Sequence, residues 1–381
     1  MIVFFSIFFS VYTALNYYIF IRGWQALNSV PVLKPFYAAV FVIVAYGYIL
    51  AKLLYKFLSP FFYDVILEIG AFWFAFLVYF ILLLVGLDII RVFESFFHFL
   101  PKFIYQNYEL TKQITAVIIV VIASVIVILG NINKKNIKIT SVDLSIPKGS
   151  SKLNELNIVM ASDLHLSPYD GESHLKKIVE KINSLNPDII LFTGDVVDDK
   201  AEVLINRKIG ESFRKLKSKY GIYAINGNHE FINGVEPCVK YMEEYGFKVL
   251  RDEYTLVDSS FYLVGREDGA IRSFTGKNRK SLEEIISPIS NHFPKILLDH
   301  TPVKLEQAEK NGIDLQLSGH THHGQIWPGN IITNMIYEVS RGYKKKGNTH
   351  YYVSSGAGTW GPPVRTGSSS EIVNIKVKFI D

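Results

Sequence analysis

"LNIVMASDLHL", residues 156–166, decides how the second half of this chain is read. A short apolar run rich in β-branched residues closes on Asp163, and His165 follows two positions later. Such a run, bounded by polar residues, reads as a buried strand. In an open α/β sheet, ligands gather just past the C-terminal ends of the strands. The same arrangement recurs four times. "DIILFTG" (188–194) runs into Asp195, and "GIYAING" (221–227) into Asn228 and His229. "KILLD" (295–299) runs into His300, and "DLQLSG" (314–319) into His320 and His322. Gly194, Gly227 and Gly319 precede three of these groups, as a tight turn with close backbone approach requires. Amphipathic stretches fall between the runs, through "HLKKIVEKINSL", "FRKLKSKY", "CVKYMEEY" and "VKLEQAEKNG", and each predicts a helix. "IKITSVDLSI" (137–146) alternates like a half-buried strand, and "YTLVDSSFYLVG", "HYYVSSGAG" and "EIVNIKVKFI" are β-rich. The alternation predicts an α/β domain with layered sheets.

The first third differs in kind. Residues 1–21, 69–87 and 113–130 carry no charge, and 36–55 carries only Lys52, near one end where it can snorkel. Each run approaches the ~20 residues that cross a bilayer core. Four transmembrane helices are therefore expected, in a membrane domain over 1–131, with a second domain over 132–381. The first run lacks the basic start and small-residue cleavage site of a signal peptide, so it reads as a retained helix. This makes the chain a multi-pass protein of the cell membrane, with the bilayer as a partner. Lys and Arg near the span ends divide five against five, so the side on which the second domain lies stays open. Residues 131–135, "NINKK", read as a linker. Even fully extended, at ~3.3–3.6 Å per residue, it keeps that domain close to the bilayer.

Charge excludes one class of partner. The first 131 residues hold 7 of the 40 basic and 5 of the 35 acidic residues, leaving 33 against 30. A net charge of +3 is not the clearly basic face that nucleic acid binding shows, so no nucleic acid is expected. Cys238 is the only cysteine, which rules out an intrachain disulfide and a thiolate zinc site.

The donors past the strand ends, leaving His229 aside, are two aspartates, one asparagine and four histidines. That is too many for one ion and suits two that share a bridging carboxylate. Oxygen donors mixed with imidazole suit manganese, zinc, iron or cobalt. Two such ions acidify a water and clamp a phosphoryl group for in-line attack. In order, "SDLHL", "GDVVDD", "GNHE", "DHTP" and "GHTHHGQ" resemble the motifs of the calcineurin-like metallophosphoesterase superfamily. "LLDHTP" and the tail "YYVSSGAGTWGPPVRTGSSSEIVNI" are similar to its bacterial membrane-associated branch, which includes transmembrane proteins with a metallophosphoesterase domain. The resemblance covers roughly residues 136–381.

It implies an α/β/β/α sandwich and a metal-dependent phosphoric ester hydrolase, such as a phosphodiesterase. Asp163, His165 and His322 would bind one divalent or trivalent ion. Asn228, His300 and His320 would bind the other, and Asp195 would bridge them. His229 would be the catalytic side chain, steadying the phosphoryl oxygens and protonating the leaving group. His323 stands where this branch usually has glycine. A membrane anchor suits a phosphoester substrate linked to lipid. Related proteins cleave the pyrophosphate of UDP-diacylglucosamine on the way to lipid A, which is the specific alternative.

Other residues admit plainer readings. Asp198 and Asp199 suit helix N-capping better than a place behind the ligands. Glu230 is evenly divided between tuning His229 and facing solvent. Arg365 is evenly divided between gripping a substrate phosphate and a structural ion pair. His98 lies in an aromatic stretch read as an interfacial helix, and His174, His292 and His350 lack the strand-end setting. A membrane sensor or transporter with a regulatory phosphoesterase domain is the alternative of another class. The absence of ionisable residues deep in the spans favours a plain anchor.

Overall fold

The computed structural model describes residues 2–168 and 170–380. They form two compact units, Met1–Asn131 with Gly361–Val364, and Ile132–Trp360 with Arg365–Asp381.

Helices α1 (Ile2–Ala26), α2 (Lys34–Leu54), α3 (Pro60–Phe97), α4 (Lys102–Gln106) and α5 (Tyr108–Lys135) come first. Among the described residues, three helical segments are long and apolar enough to cross a membrane: Pro31–Leu54, Pro60–Phe97 and Tyr108–Lys135. The expected count of four is thereby corrected to three. The first expected span begins at Met1, outside the described residues. Helix α1 is unbroken and carries Tyr12, Thr13, Asn16 and Tyr18, whose polar groups find partners on α2 and α3. Trp73 Nε1 donates to Asn16 Oδ1 at 2.8 Å, and the Tyr12 hydroxyl donates to the Ala45 carbonyl. The first part of the expected interfacial helix is absorbed by α3, which runs on to Phe97 before His98 ends it in a left-handed conformation. Residues 131–135 form the last turn of α5 rather than an extended linker.

The second unit holds two six-stranded sheets. The first runs in the order β1 (Lys138–Pro147), β12 (Glu371–Ile380), β2 (Glu155–Ala161), β3 (Ile189–Phe192), β4 (Ile222–Ala224) and β5 (Phe247–Val249). Its strands β2 to β5 are parallel, and β12 is antiparallel to β2. The second runs β10 (Gly342–Lys346), β11 (Thr349–Val353), β9 (Leu315–Ser318), β8 (Lys295–Leu298), β7 (Phe261–Gly265) and β6 (Glu253–Val257). Its strands β7, β8, β9 and β11 are parallel.

Strand alternation sorts the apolar residues into layers. Ile158, Met160, Ile189 and Leu191 face Leu263, Ile296, Leu298 and Leu315 between the sheets. Val159, Ala161, Ile190 and Phe192 instead pack on α6 (Gly171–Ser184) and α9 (Val235–Glu244) through Leu175, Ile178, Tyr241 and Met242. On the far side, Val264, Leu297, Tyr351 and Val353 pack on Leu282, Ile285, Leu305 and Ala308. Those four belong to α11 (Leu282–Ile286), α12 (Glu306–Lys310) and the residue before it. The result is the expected α/β/β/α sandwich. The remaining helices are short: α7 (Ala201–Asn206), α8 (Asn228–Asn233), α10 (Ile271–Thr275) and α13 (Gly329–Ile336). The charged helix expected through "FRKLKSKY" shrinks to one 3-10 turn, Glu211–Lys215. Phe213 is buried against Phe192 and Phe247, and Leu216 is already extended, which ends the helix.

Ile158 is fully buried in the layer between the sheets. Ile158→Ala should cost ~2–5 kcal/mol, seen as a lower urea midpoint when the detergent-solubilised chain is unfolded.

Candidate active site

The C-terminal ends of β2, β3, β4, β8 and β9 meet at one edge of the sandwich, and each releases its polar residues there. The backbone is bent hard to do so. Asp163, Asp195, His165, His320 and His322 have φ of 51°, 52°, 48°, 70° and 47°, the left-handed region that favours glycine. Five such residues in one place mark a constrained site. His323 follows at 46°, the conformational reason glycine suits this position. The predicted glycines sit where a side chain would collide, Gly194 also at a φ of 94°. A Cβ on Gly227 would lie 2.2 Å from Asp195 Oδ1, and one on Gly319 would lie 1.9 Å from Ser162 Oγ.

The side chains converge as three overlapping groups, the third of them His165, Asp195 and His229. Asp163, His165 and His322 offer ligand atoms within 4.8 Å of one another, and so do Asp195, His300 and His320. In the first group His165 Nε2 lies 2.9 Å from His322 Nε2, and His322 Nε2 lies 3.4 Å from Asp163 Oδ1. The His320 backbone N–H donates to both Asp163 oxygens, which draws β9 to β2. Asp195 Oδ2 stands between the groups, 3.8 Å from His165 Nε2 and 3.2 Å from His300 Nε2. Asn228 joins the second group with its Oδ1 2.9 Å from His320 Nδ1.

These residues fit a cation. His300 Nδ1 donates to the Thr193 carbonyl at 2.7 Å, so in the neutral ring Nε2 presents a lone pair to the Asp195 carboxylate. That nitrogen is buried without a hydrogen-bond partner. Two acceptors face each other away from water, an arrangement that needs positive charge between them. The electrostatics agree. Burial opposes ionisation at both, yet the Asp195 carboxyl is held well below its usual range by His300 and His229, and His300 is held well above its own by Asp195. Burial, with His165 and Arg365 nearby, keeps His322 neutral.

His229 sits at the start of α8 with its ring edge-on to that of His165, centroids 4.6 Å apart. Its Nδ1 contacts Asp198 Oδ1 at 2.5 Å. Burial disfavours the charged ring, but Asp198 and Asp195 hold its pKa up at about 9.

The family model for calcineurin-like phosphoesterases matches residues 156–324. A transmembrane protein with metallophosphoesterase domain from Danio rerio is 31% identical over 274 residues, 69% of this chain and 62% of that one. An uncharacterised metallophosphoesterase of Helicobacter pylori is 31% identical over 229 residues, 58% of this chain and 60% of that one. An uncharacterised metallophosphoesterase of Campylobacter jejuni is 30% identical over 277 residues, 72% of each chain. The chain belongs to the calcineurin-like phosphoesterase family. Its members are metal-dependent hydrolases of phosphoric esters. The match spans only about three fifths of the zebrafish and Helicobacter relatives.

For three side chains the structure decides on the readings weighed from sequence, and the buried Glu230 is among the charges that raise the His229 pKa. Asp198 does not cap a helix; its carboxylate lies between His229 and His165, 3.5 Å from His165 Nδ1. Glu230 is fully buried and accepts the backbone N–H groups of Asp195, Val197 and Gly227, tying the loop after β3 to the loop after β4. Burial and Asp195 push its pKa up to about 7. Arg365 is fully buried and donates to the carbonyls of Ser355, Gly356 and Gly358, with Nη2 3.3 Å from His322 Nδ1. It is a clamp on that loop, neither a phosphate grip nor an ion pair. His323 lies aside, its Nδ1 2.9 Å from Ser340 Oγ. His350 bonds to the Tyr343 hydroxyl, and His174 is buried in α6.

Two aromatic residues escaped the sequence reading. The Trp360 ring lies 6.1 Å from His229, and Tyr337 lies 6.2 Å from His320. Both come from loops outside the strand-end pattern, so periodicity holds no signal for them.

Glu230→Gln keeps the shape but leaves an amide N–H₂ facing backbone N–H donors. It should lower metal affinity ~10–100-fold, measured by metal content after dialysis at fixed free manganese, with secondary structure retained.

Proposed function

We propose that the chain is a membrane-anchored two-metal phosphoesterase acting on a lipid-linked phosphoester or pyrophosphate. The observation that carries the reaction is the place of Asp195, one oxygen of which faces both His165 and His300. Asp163, His165 and His322 would hold one ion, Asn228, His300 and His320 the other, and Asp195 both. When bound, such a pair acidifies a water and neutralises charge on the phosphoryl oxygens. With Nδ1 engaged by Asp198, His229 is left with Nε2 as its donor. At neutral pH that nitrogen carries a proton to offer the phosphoryl or leaving-group oxygen. Arg365, turned inward onto carbonyls, positions His322 and leaves the substrate to other groups.

The lipid-linked reading draws support from the rim of the site. The helix α13 follows the turn that holds His320 and His322 and buries no residue. Ile331, Ile332, Met335 and Ile336 are exposed along it, with Trp327 just before it. Trp360, beside His229, is also exposed. An apolar helix with a tryptophan at one end suits the boundary of a lipid surface. The three apolar helical segments keep the chain at one. The lipid would present its phosphate to the metal pair while its hydrocarbon meets this rim.

The test uses the purified full chain in vesicles, with a water-soluble phosphodiester and a vesicle-embedded lipid pyrophosphate as substrates. Asp195→Asn should abolish turnover of both; unchanged hydrolysis would overturn the two-metal reading. His229→Ala should lower kcat by ~10²–10⁴ with bound metal unchanged. Met335→Glu with Ile336→Glu should depress turnover of the embedded substrate alone, by roughly tenfold. An equal loss on both substrates would remove the lipid-facing role of α13. UDP-diacylglucosamine belongs in the same assay, and background turnover would exclude that substrate.

A further inference from the structure

The N-terminal unit contains a cavity of about 520 Å³ between α1, α2, α3 and α5, inside the ~300–1,000 Å³ range of small-molecule sites. Its walls are apolar, built by Ile19, Val40, Phe41, Val44, Trp73 and Phe80. Three cations, Arg22, Arg91 and Lys112, also line it, and among the described residues no carboxylate does. They gather at one end of the helices. Arg22, near the end of α1, and Arg91, near the end of α3, share Asp88. Lys112, in the first turns of α5, pairs with the half-exposed Glu109 at 2.6 Å. Close by, Gln113 of α5 bonds to Ser29, in the connection from α1 to α2. Three cations against two carboxylates leave that end net positive. Phe36, Val40 and Val120 line the cavity yet are exposed, so it opens sideways between helices apolar enough to lie in a bilayer.

We propose that this cavity binds a bilayer phospholipid with an anionic headgroup. One hydrocarbon chain lies along Phe41, Val44 and Trp73, and the phosphate sits at Arg22, Arg91 and Lys112. Only an amphiphile satisfies both parts. A free phosphate leaves the apolar walls uncovered, and a zwitterionic lipid brings its own cation to a mouth that already has an excess. The site is independent of the metal centre and of the reaction proposed there.

Trp73 reports the outcome directly. In the full chain, Trp24, Trp327 and Trp360 are replaced by Phe, and the protein is placed in phosphatidylcholine vesicles. Brominated-chain phosphatidylglycerol or brominated-chain phosphatidylcholine is then titrated in. Trp73 should be quenched at a roughly five- to tenfold lower fraction of the anionic lipid. Lys112→Gln and Arg91→Gln should each cut that preference about fivefold. Lys112→Gln is the safer variant, because its partner is half exposed. Unchanged Trp73 emission in unbrominated vesicles identifies the variants that fold. Ala116→Phe, which fills the wall, should weaken quenching by both lipids. Equal quenching by the two headgroups, or no quenching by either, would overturn the proposal.

Discussion

Buried carboxylates and imidazoles do not stay together in a dry site without positive charge between them. Around Asp195 this demand is concentrated. One of its oxygens faces His165 and His300, the other accepts the His229 backbone N–H at 2.8 Å, and almost no water reaches it. The neighbouring imidazoles respond in opposite ways. His229 and His300 are drawn toward the charged form, whereas His322, beside Arg365, is held neutral. At His300 the pull comes from the Asp195 carboxylate facing its Nε2, a place where a cation would serve as well as a proton; at His229 it comes from Asp198 and Asp195.

The scaffold that enforces this crowding is made of backbone as much as of side chains. Left-handed turns aim Asp163, His165, Asp195, His320 and His322 inward, at a conformational cost that only over-determined surroundings sustain. Those surroundings can be named. Glu230 gathers three amides from two loops, Arg365 gathers carbonyls from a third, and glycines at 227 and 319 allow neighbouring chains to touch. Both charged side chains are buried, and each is satisfied by peptide groups rather than by an opposite charge. This is how a fold keeps a single carboxylate or guanidinium inside.

The layered fold was legible because strands buried on both faces read as short apolar runs, and five of these end on Asp, Asn or His. The ligand candidates were legible for the same reason, being placed by strand ends. Asp198, Glu230 and Arg365 were not, since capping, solvent exposure and ion pairing explain such residues equally well one at a time. Which explanation holds depends on what lies opposite, and that comes from elsewhere in the chain. The membrane-spanning count erred on α1. Three helical segments among the described residues are long and apolar enough to span, and the first expected run, which begins at Met1, is not among them.

From its order of residues alone, this protein announced an apolar helical region, an α/β layered domain, its family, and a set of candidate metal-binding side chains at strand ends. Periodicity and local chemistry are properties of neighbours in sequence, and these features need nothing more. The tertiary structure decided which side chains hold the ligands in place, which aromatic residues border the site, and where cations and a hydrocarbon-lined cavity meet. Those are properties of neighbours in space, set by the packing of segments up to hundreds of residues apart.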